Sequence, residues 1–269
     1  MVIPKLGKPN YSKVRAYQVI SLLNVINKLL EWTAAYLIAD HLERKRGLHE
    51  GQFGCRIRRS RVDAVAIMMN RTQKSWSEGK VAGALLMDVK SALNNVSRIH
   101  LGKRMTALGI KPDLIRWMMS FIANRKVKIT LDGETGEAQP ADTGVPQGSP
   151  AAPILFVTYL SGMFDEVERR VPGVSGLSFV DDIGWWAEGK DDEVVAAKLS
   201  EVAAAAIDWA ERNGVAFDNG KTEAAFFWRG RKKGTEAKAN VKVGDNEVSF
   251  NKEATRWLRV WLDSQLTLP

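Results

Sequence analysis

The sequence has a single cysteine, Cys55, among its 269 residues. That excludes an internal disulfide and any cysteine cluster for zinc. Its histidines, His41, His49 and His100, are scattered and form no short ligand motif. No apolar run approaches the roughly 18–20 residues that a membrane-crossing helix needs. The longest candidate, Ala151 to Phe164, is interrupted by Pro153, Thr158, Ser161 and Gly162. The opening Met1-Val2-Ile3-Pro4-Lys5 lacks the layout of a secretory signal. An intracellular, reducing setting with no membrane association is therefore expected.

What is present is an ordinary globular composition, 45% apolar and 26% charged. The length suits one large domain or two modest ones. The net charge is +8. The basic residues cluster: Arg56, Arg58, Arg59 and Arg61; Lys103 and Arg104; Arg125, Lys126 and Lys128; Arg229, Arg231, Lys232 and Lys233. Such patches attract polyanions, nucleic acid among them, although solvated basic faces look the same in sequence.

Ser21 to Leu42 is apolar at helical spacing, with Leu22, Leu23, Ile26, Leu29 and Leu30 in register. Val62 to Met69 reads as a further helix. Gly83 to Val89 is short and uninterruptedly apolar and reads as a buried strand, although periodicity alone does not separate that from a buried helix. Ser97 is placed to cap a helix that Gly109 ends, and a second helix follows Pro112. Asp132-Gly133 marks a hairpin turn. Leu177–Val180 and Ile183–Ala187 are two short apolar strands, followed by an alanine-rich helix from Asp192 to Asn213. Val241 to Val248 reads as a hairpin and Trp257 to Leu262 as a last strand. Helices packed on an antiparallel sheet give an α+β class.

The chemistry is expected between those two short strands. Asp181 and Asp182 cannot both stay ionised in a half-buried turn without a compensating cation, and magnesium is the usual partner for hard oxygen ligands. A bare Asp-Asp pair means little: Asp191-Asp192 is another, and reads as a helix N-terminus. The apolar flanks of Asp181-Asp182 set it apart. Asp88 ends another apolar strand, and two neighbouring strands could bring all three acids together. Such a constellation can hold two metals for an in-line phosphoryl transfer.

These residues carry a family resemblance. Leu86-Met87-Asp88-Val89-Lys90-Ser91-Ala92-Leu93-Asn94-Asn95-Val96 resembles the first carboxylate motif of reverse transcriptases of non-LTR retrotransposons and group II introns. Gly144-Val145-Pro146-Gln147-Gly148-Ser149-Pro150 is similar to their Pro-Gln-Gly loop, and Phe179-Val180-Asp181-Asp182 to their aromatic-X-Asp-Asp hairpin. Asn219-Gly220-Lys221-Thr222-Glu223 and Trp257-Leu258-Arg259-Val260-Trp261-Leu262-Asp263 follow in the family's order, the latter resembling the primer grip. Upstream, Lys8 to Leu23 and Gly51-Gln52-Phe53-Gly54 are similar to the fingers motifs. The non-LTR type matches best.

The resemblance implies a right-hand polymerase whose palm is an antiparallel sheet backed by helices. Residues 1–80 and 113–150 would be fingers, 81–112 and 151–250 palm, and 251–269 the primer-grip region, with the chain cut before a thumb. The implied activity is RNA-directed DNA polymerisation, with an RNA template, a DNA primer, dNTPs and two Mg2+ ions. A catalytically inactive nucleic-acid-binding remnant is the alternative. Asp88, Asp181 and Asp182 would hold the metals with help from the Val89 carbonyl, and Lys221 would sit near the leaving pyrophosphate. Leu93, Gln147 and Gly148 would shape the nucleotide pocket, and Lys5, Lys8 and Gln18 would lie toward the triphosphate.

The sequence departs from the family's pattern in places. An aromatic residue usually stands at Leu93, where its ring excludes the ribose 2′-hydroxyl. An aspartate usually stands at Asn94, an arginine that grips the triphosphate at Gln18, and a glycine at both Ser91 and Arg259. With these changes and no thumb, weak activity of the isolated chain is expected.

Overall fold

The computed structural model describes residues 1–7, 9–13, 16–230 and 237–267. Lys8, Arg231, Lys232 and Lys233 lie outside the described residues, and of Gln18 only the backbone is described. Strands β1 (Val2–Pro4) and β2 (Tyr17–Val19) precede helices α1 (Val25–Lys45) and α2 (Arg61–Ser77). Strand β3 (Val81–Asp88) leads to α3 (Arg98–Ala107) and α4 (Pro112–Phe121). The short strands β4 (Arg125–Val127), β5 (Thr130–Leu131), β6 (Glu134–Thr135) and β7 (Gln139–Ala141) follow. Helix α5 (Ala152–Arg170) precedes β8 (Val174–Phe179), β9 (Asp182–Gly189) and α6 (Asp192–Arg212). Strands β10 (Glu223–Phe227), β11 (Asn240–Val243), β12 (Asn246–Ser249), β13 (Thr255–Trp257) and β14 (Val260–Leu262) complete the order. The chain divides into two compact units, Met1–Gly47 with Ser91–Tyr159, and Leu48–Lys90 with Leu160–Pro269.

The second unit is built on a four-stranded antiparallel sheet in the order β10-β3-β9-β8. Both faces of β3 are covered, which is why its sequence is apolar without alternation. Ala82, Ala84 and Leu86 share one cluster with Ala64, Val65 and Met68 of α2. On the other face a Cβ at Gly83 would lie 2.6 Å from Val195 of α6. In β9, the Trp186 indole donates to Thr72 Oγ1 at 3.1 Å. Its neighbour Trp185 stacks on Phe164 with centroids 5.3 Å apart. Asp191 caps α6, its side chain accepting from the Val194 N–H at 2.9 Å, so this acid pair is a helix start as expected.

Gly51-Gln52-Phe53-Gly54 lies beside β8. Phe53 N–H donates to Ser178 O and Ser178 N–H to Gly51 O, each at 2.8 Å. The approach is too close for side chains: a Cβ at Gly51 would fall 1.8 Å from Gly176 O, and one at Gly54 2.5 Å from the Val180 nitrogen. Glu168, near the end of α5, joins the same region. It accepts from the Gly176 N–H at 2.8 Å, and its other oxygen is 3.1 Å from His49 Nε2. Burial pushes the Glu168 carboxyl up, but the His49 and Gly176 hydrogen bonds outweigh it and hold the group below the usual glutamate range.

Two expectations about local structure are corrected. Trp257 to Leu262 is not one strand but the hairpin β13–β14, turning at Leu258 (φ 50°) and Arg259 (φ 68°). A two-residue turn with both residues in the left-handed region favours glycine, which accounts physically for glycine as the usual residue at Arg259. Ser91, the other place where a glycine is usual, is also left-handed (φ 51°, ψ 42°). The second correction concerns α1. The helix starts at Val25 and not at Ser21, and Leu22, Ile26, Leu29 and Leu30, which share the apolar spacing, are exposed. The buried stripe is Glu31, Ala34, Ile38 and Leu42.

In the first unit the Pro-Gln-Gly loop is held from two sides. Val145 N–H donates to Leu93 O and Ser21 N–H to Gln147 O, each at 2.7 Å. A Cβ at Gly144 would clash with the Leu93 and Asn94 carbonyl oxygens at 2.5–2.6 Å. The buried Glu31 accepts a short hydrogen bond from Ser149 Oγ at the end of this loop.

Two tests follow from these geometries. Ser91→Gly and Arg259→Gly should each stabilise the protein by about 1 kcal/mol, since a left-handed non-glycine residue costs about 1–2 kcal/mol. Chemical denaturation reads this, and a loss of stability in both variants would refute the strain argument. Glu168→Gln should cost about 1–2 kcal/mol at neutral pH. Because the native Glu168 carboxyl is depressed, its contribution is present above the ordinary glutamate pKa. It is lost as pH falls through the native value. The gap between variant and wild type should therefore close below roughly pH 4; a gap constant from neutral pH to pH 3 would contradict the role given to the carboxylate's hydrogen bonds.

Candidate active site

The β3–β9 ladder places Asp88 directly opposite Asp182. Asp181 stands next to it in the β8–β9 turn, where Val180 has a left-handed φ of 62°. The ladder's pairing continues past Asp88: Lys90 N–H donates to Ala216 O at 2.8 Å, Val89 bridges Phe217, and Asp218 N–H donates to Asp88 O at 2.9 Å. The turn that follows, Asn219–Lys221, thereby returns Lys221 to the first acid. Its ammonium makes a short ion pair with Asp88 and lies 3.7 Å from Asp218.

These groups line an open groove of about 430 Å³ whose walls include Asp88, Asp182, Lys221, Glu223, Arg256 and Trp257. Trp257 is buried, and the edge of its indole lies 3.0 Å from where a Gly184 Cβ would stand. Gly184 thus lets this ring reach the sheet just behind Asp182. Arg256 lies over the Trp261 ring at 5.8 Å. The sequence reading gives no role to Arg256 or Glu223, although Arg256 adjoins Trp257 and Glu223 ends the motif that contains Lys221.

The electrostatics are those of crowded acids. Burial raises the Asp181 carboxyl above the ordinary aspartate range, and the Asp88 charge adds to the rise. Burial likewise raises Asp182, with Asp181 and Asp88 both contributing. Lys221 opposes both shifts, and its own affinity for its proton is raised mainly by the Asp88 hydrogen bond. Among the described residues no three metal-ligating side chains converge closely enough to grip an ion as they stand. The donor set nevertheless suits a hard divalent cation, because it offers carboxylate oxygens that repel one another and are destabilised by burial. The Lys221 ammonium supplies positive charge at this place.

The remaining predicted residues lie in the first unit. Lys5 is exposed on β1's flank, where its N–H donates to Ala16 O at 2.8 Å. The Gln18 backbone pairs with Ile3 in the β1–β2 ladder. Leu93, Gln147 and Gly148 belong to the loop system described above, and Gly148 has a left-handed φ of 105°.

Removing one of the crowded charges should relieve the fold. Asp181→Asn is expected to raise stability by about 0.5–2 kcal/mol, as replacements of destabilised functional groups commonly do. Thermal denaturation without divalent ions checks it, and a lowered Tm would show that the carboxylate is already satisfied.

Residues 3–260 match the family model described as reverse transcriptase (RNA-dependent DNA polymerase). The chain is 25% identical over 272 residues to a probable RNA-directed DNA polymerase from the transposon X-element of Drosophila melanogaster, covering 99% of this chain and 28% of that protein. It is 26% identical over 232 residues to the RNA-directed DNA polymerase from the mobile element jockey of Drosophila funebris, covering 84% and 25%. The chain therefore spans about a quarter of the length of these relatives. Among solved structures it resembles apo telomerase from Candida tropicalis with a TM-score of 0.61 at 11% identity, covering 90% of this chain and 39% of that one. That likeness concerns the fold alone, a mixed helix and antiparallel-sheet polymerase fold. The order of motifs, the sheet that carries them and the match along almost the whole chain agree: this is a member of the reverse transcriptase family, of the kind found in non-LTR retrotransposons.

Proposed function

We propose that this chain is the polymerising domain of such an element, with the sheet-bearing unit as its palm and the segments around Lys5 and Gln147 in its fingers. The observation that carries the reading is the register that sets Asp88 against Asp182, with Asp181 beside them and Lys221 drawn onto Asp88. An isolated turn of acids would need no such lysine and no apolar sheet behind it.

The reaction is attack of a primer 3′-hydroxyl on the α-phosphate of a dNTP, guided by an RNA template, with pyrophosphate leaving. Asp88, Asp181 and Asp182, with the Val89 carbonyl, would hold two Mg2+ ions. These would supply Lewis acidity and neutralise charge on the transferring phosphoryl group. The remaining work belongs to the chain's own groups. Lys221 offers its ammonium to the leaving pyrophosphate and can give it a proton. Trp257, held against the sheet at Gly184, supports the wall along which the primer end lies. By the family resemblance, Gln147 and Gly148, with Leu93, would shape the nucleotide pocket, and Lys5, Lys8 and Gln18 would serve the triphosphate.

Primer extension on an RNA template with magnesium tests this. The chain should incorporate dNTPs slowly, and Asp182→Asn should reduce incorporation by about a hundredfold or more, since a metal-held phosphoryl transfer draws several kcal/mol from these ligands. Magnesium should also raise the Tm of the wild-type chain and leave that of Asp182→Asn unchanged. Incorporation untouched in Asp182→Asn would remove this acid from the mechanism. No incorporation even after Gln18→Arg with Asn94→Asp would leave a nucleic-acid-binding remnant.

A further inference from the structure

A second cleft, of about 610 Å³, opens at the β8 edge of the sheet. Its walls are the segment bearing Arg58 and Arg59, a stripe of α2 that ends in Arg71, and Ser175 and Leu177 of β8. The β8–β9 ladder sets Ser175 opposite Trp186, Leu177 opposite Gly184 and Phe179 opposite Asp182. Residues directly opposite in a ladder point to one face, so the cleft lies on the sheet face that carries Asp182. At about 3.3 Å per residue, Leu177 and Ser175 stand roughly 13–20 Å from Asp181 along the strand.

The segment from Arg56 to Arg61 holds four arginines and no acid. Two of them fix its path. The Arg56 guanidinium donates to His49 O at 2.9 Å and to Gln52 O at 3.1 Å. Arg59 donates to Glu50 O and lies over the Phe53 ring at 5.2 Å. Arg58 is different. It is exposed, its backbone is left-handed (φ 60°), and its guanidinium makes no hydrogen bond or ion pair with a described residue. Arg71 Nη1 is enclosed without a partner, so this residue lends the cleft charge rather than a point of contact. The acids here are turned to other work. Asp63 accepts from Ser60 N–H at 2.7 Å and from Ser60 Oγ at 2.9 Å, and the two Glu168 oxygens are engaged by Gly176 and His49. That leaves Glu50 against three arginines in the walls. Guanidinium forks at an open cleft suit phosphate oxygens.

We propose that this cleft binds the phosphodiester backbone of the template strand, with Arg58 and Arg59 as its contacts. At roughly 3.4 Å of axis per nucleotide, the contact falls about four to six nucleotides from the reacting end. The polymerase reading given above, on which this assignment rests, places the primer end along Trp257. The chain enters β13 beside β10, where Asn251 N–H donates to Ala224 O at 2.8 Å. The strand paired with the primer therefore falls toward β8, at the opposite edge of the same sheet. An acidic peptide would also meet arginines here, but the shared face and the line of β8 leading to Asp181 favour a strand that must reach the acids.

The probe is a labelled RNA template annealed to a DNA primer, with single phosphates replaced in turn by uncharged methylphosphonates. Binding to the full chain is read by fluorescence anisotropy without magnesium. Wild type should lose about fivefold in affinity at one or two adjacent template positions in that window, the upper range for an exposed ion pair, and nothing on the primer. Arg58→Gly should bind the unmodified substrate about fivefold less tightly, lower the salt slope by about one, and ignore the same substitutions. Its Tm should nevertheless rise, because glycine suits a left-handed backbone. Arg58→Lys should keep the slope. A wild type indifferent to every template substitution in the window would overturn the proposal, as would an Arg58→Gly chain that still responds to them. Sensitivity confined to the primer would assign the cleft to that strand and equally overturn it. So would a poly-glutamate peptide that binds wild type but not Arg58→Gly, with no phosphate effect. Wild type that extends primers yet ignores these substitutions would sink this proposal alone. A phosphate effect beside extension untouched in Asp182→Asn would sink only the assignment of the acids.

Discussion

The pairing of β3 with β9 governs the rest of the second unit. Its register is set by packing on both faces, with the Ala82, Ala84 and Leu86 side chains toward α2 and the bare Gly83 backbone admitting Val195 of α6. A slip of one residue would exchange the faces of every side chain on the strand, and the two helices packed there do not accept the same shapes. The same register, carried to the end of the ladder, brings Asp88 and Asp182 together against their mutual repulsion. Packing over the length of the sheet thus offsets an electrostatic cost confined to one end.

Several sequence motifs prove to be close-approach devices. Gly51 and Gly54 let a neighbouring segment lie against β8 and the turn that carries Asp181, Gly184 admits the Trp257 ring, and Gly144 lets its loop rest on the Leu93 and Asn94 carbonyls. None of these glycines supplies a reacting atom. They fix how closely neighbouring segments and rings approach, which is a stricter demand on backbone and volume than on chemistry. Arg259 and Ser91 mark the converse, side chains placed where the backbone favours none.

Helix α1 shows a different balance. Its buried stripe holds a glutamate bonded to the Pro-Gln-Gly loop, while its most apolar residues face out. A helix with this distribution is held by one side only, and its apolar content is therefore no guide to which side packs within the unit.

Much of this was legible in the residues. The uninterrupted apolar run of β3 read as a buried strand, and Asp191-Asp192 read correctly as a helix start. Local patterns of this kind follow from periodicity and capping, which depend on near neighbours in the chain. What the sequence by itself could not decide was which neighbours are distant in the chain and adjacent in space. Periodicity found an apolar stripe on α1 but could not tell which of two stripes is buried, because that depends on what packs there. It could not show that Trp257 to Leu262 folds back on itself, because two left-handed residues at Leu258 and Arg259 are enforced by the hairpin rather than by their own preferences. And it could not show that Lys221 closes on Asp88, because that pair is made by a backbone bridge between residues 88–90 and 216–218, a contact that only the tertiary structure creates.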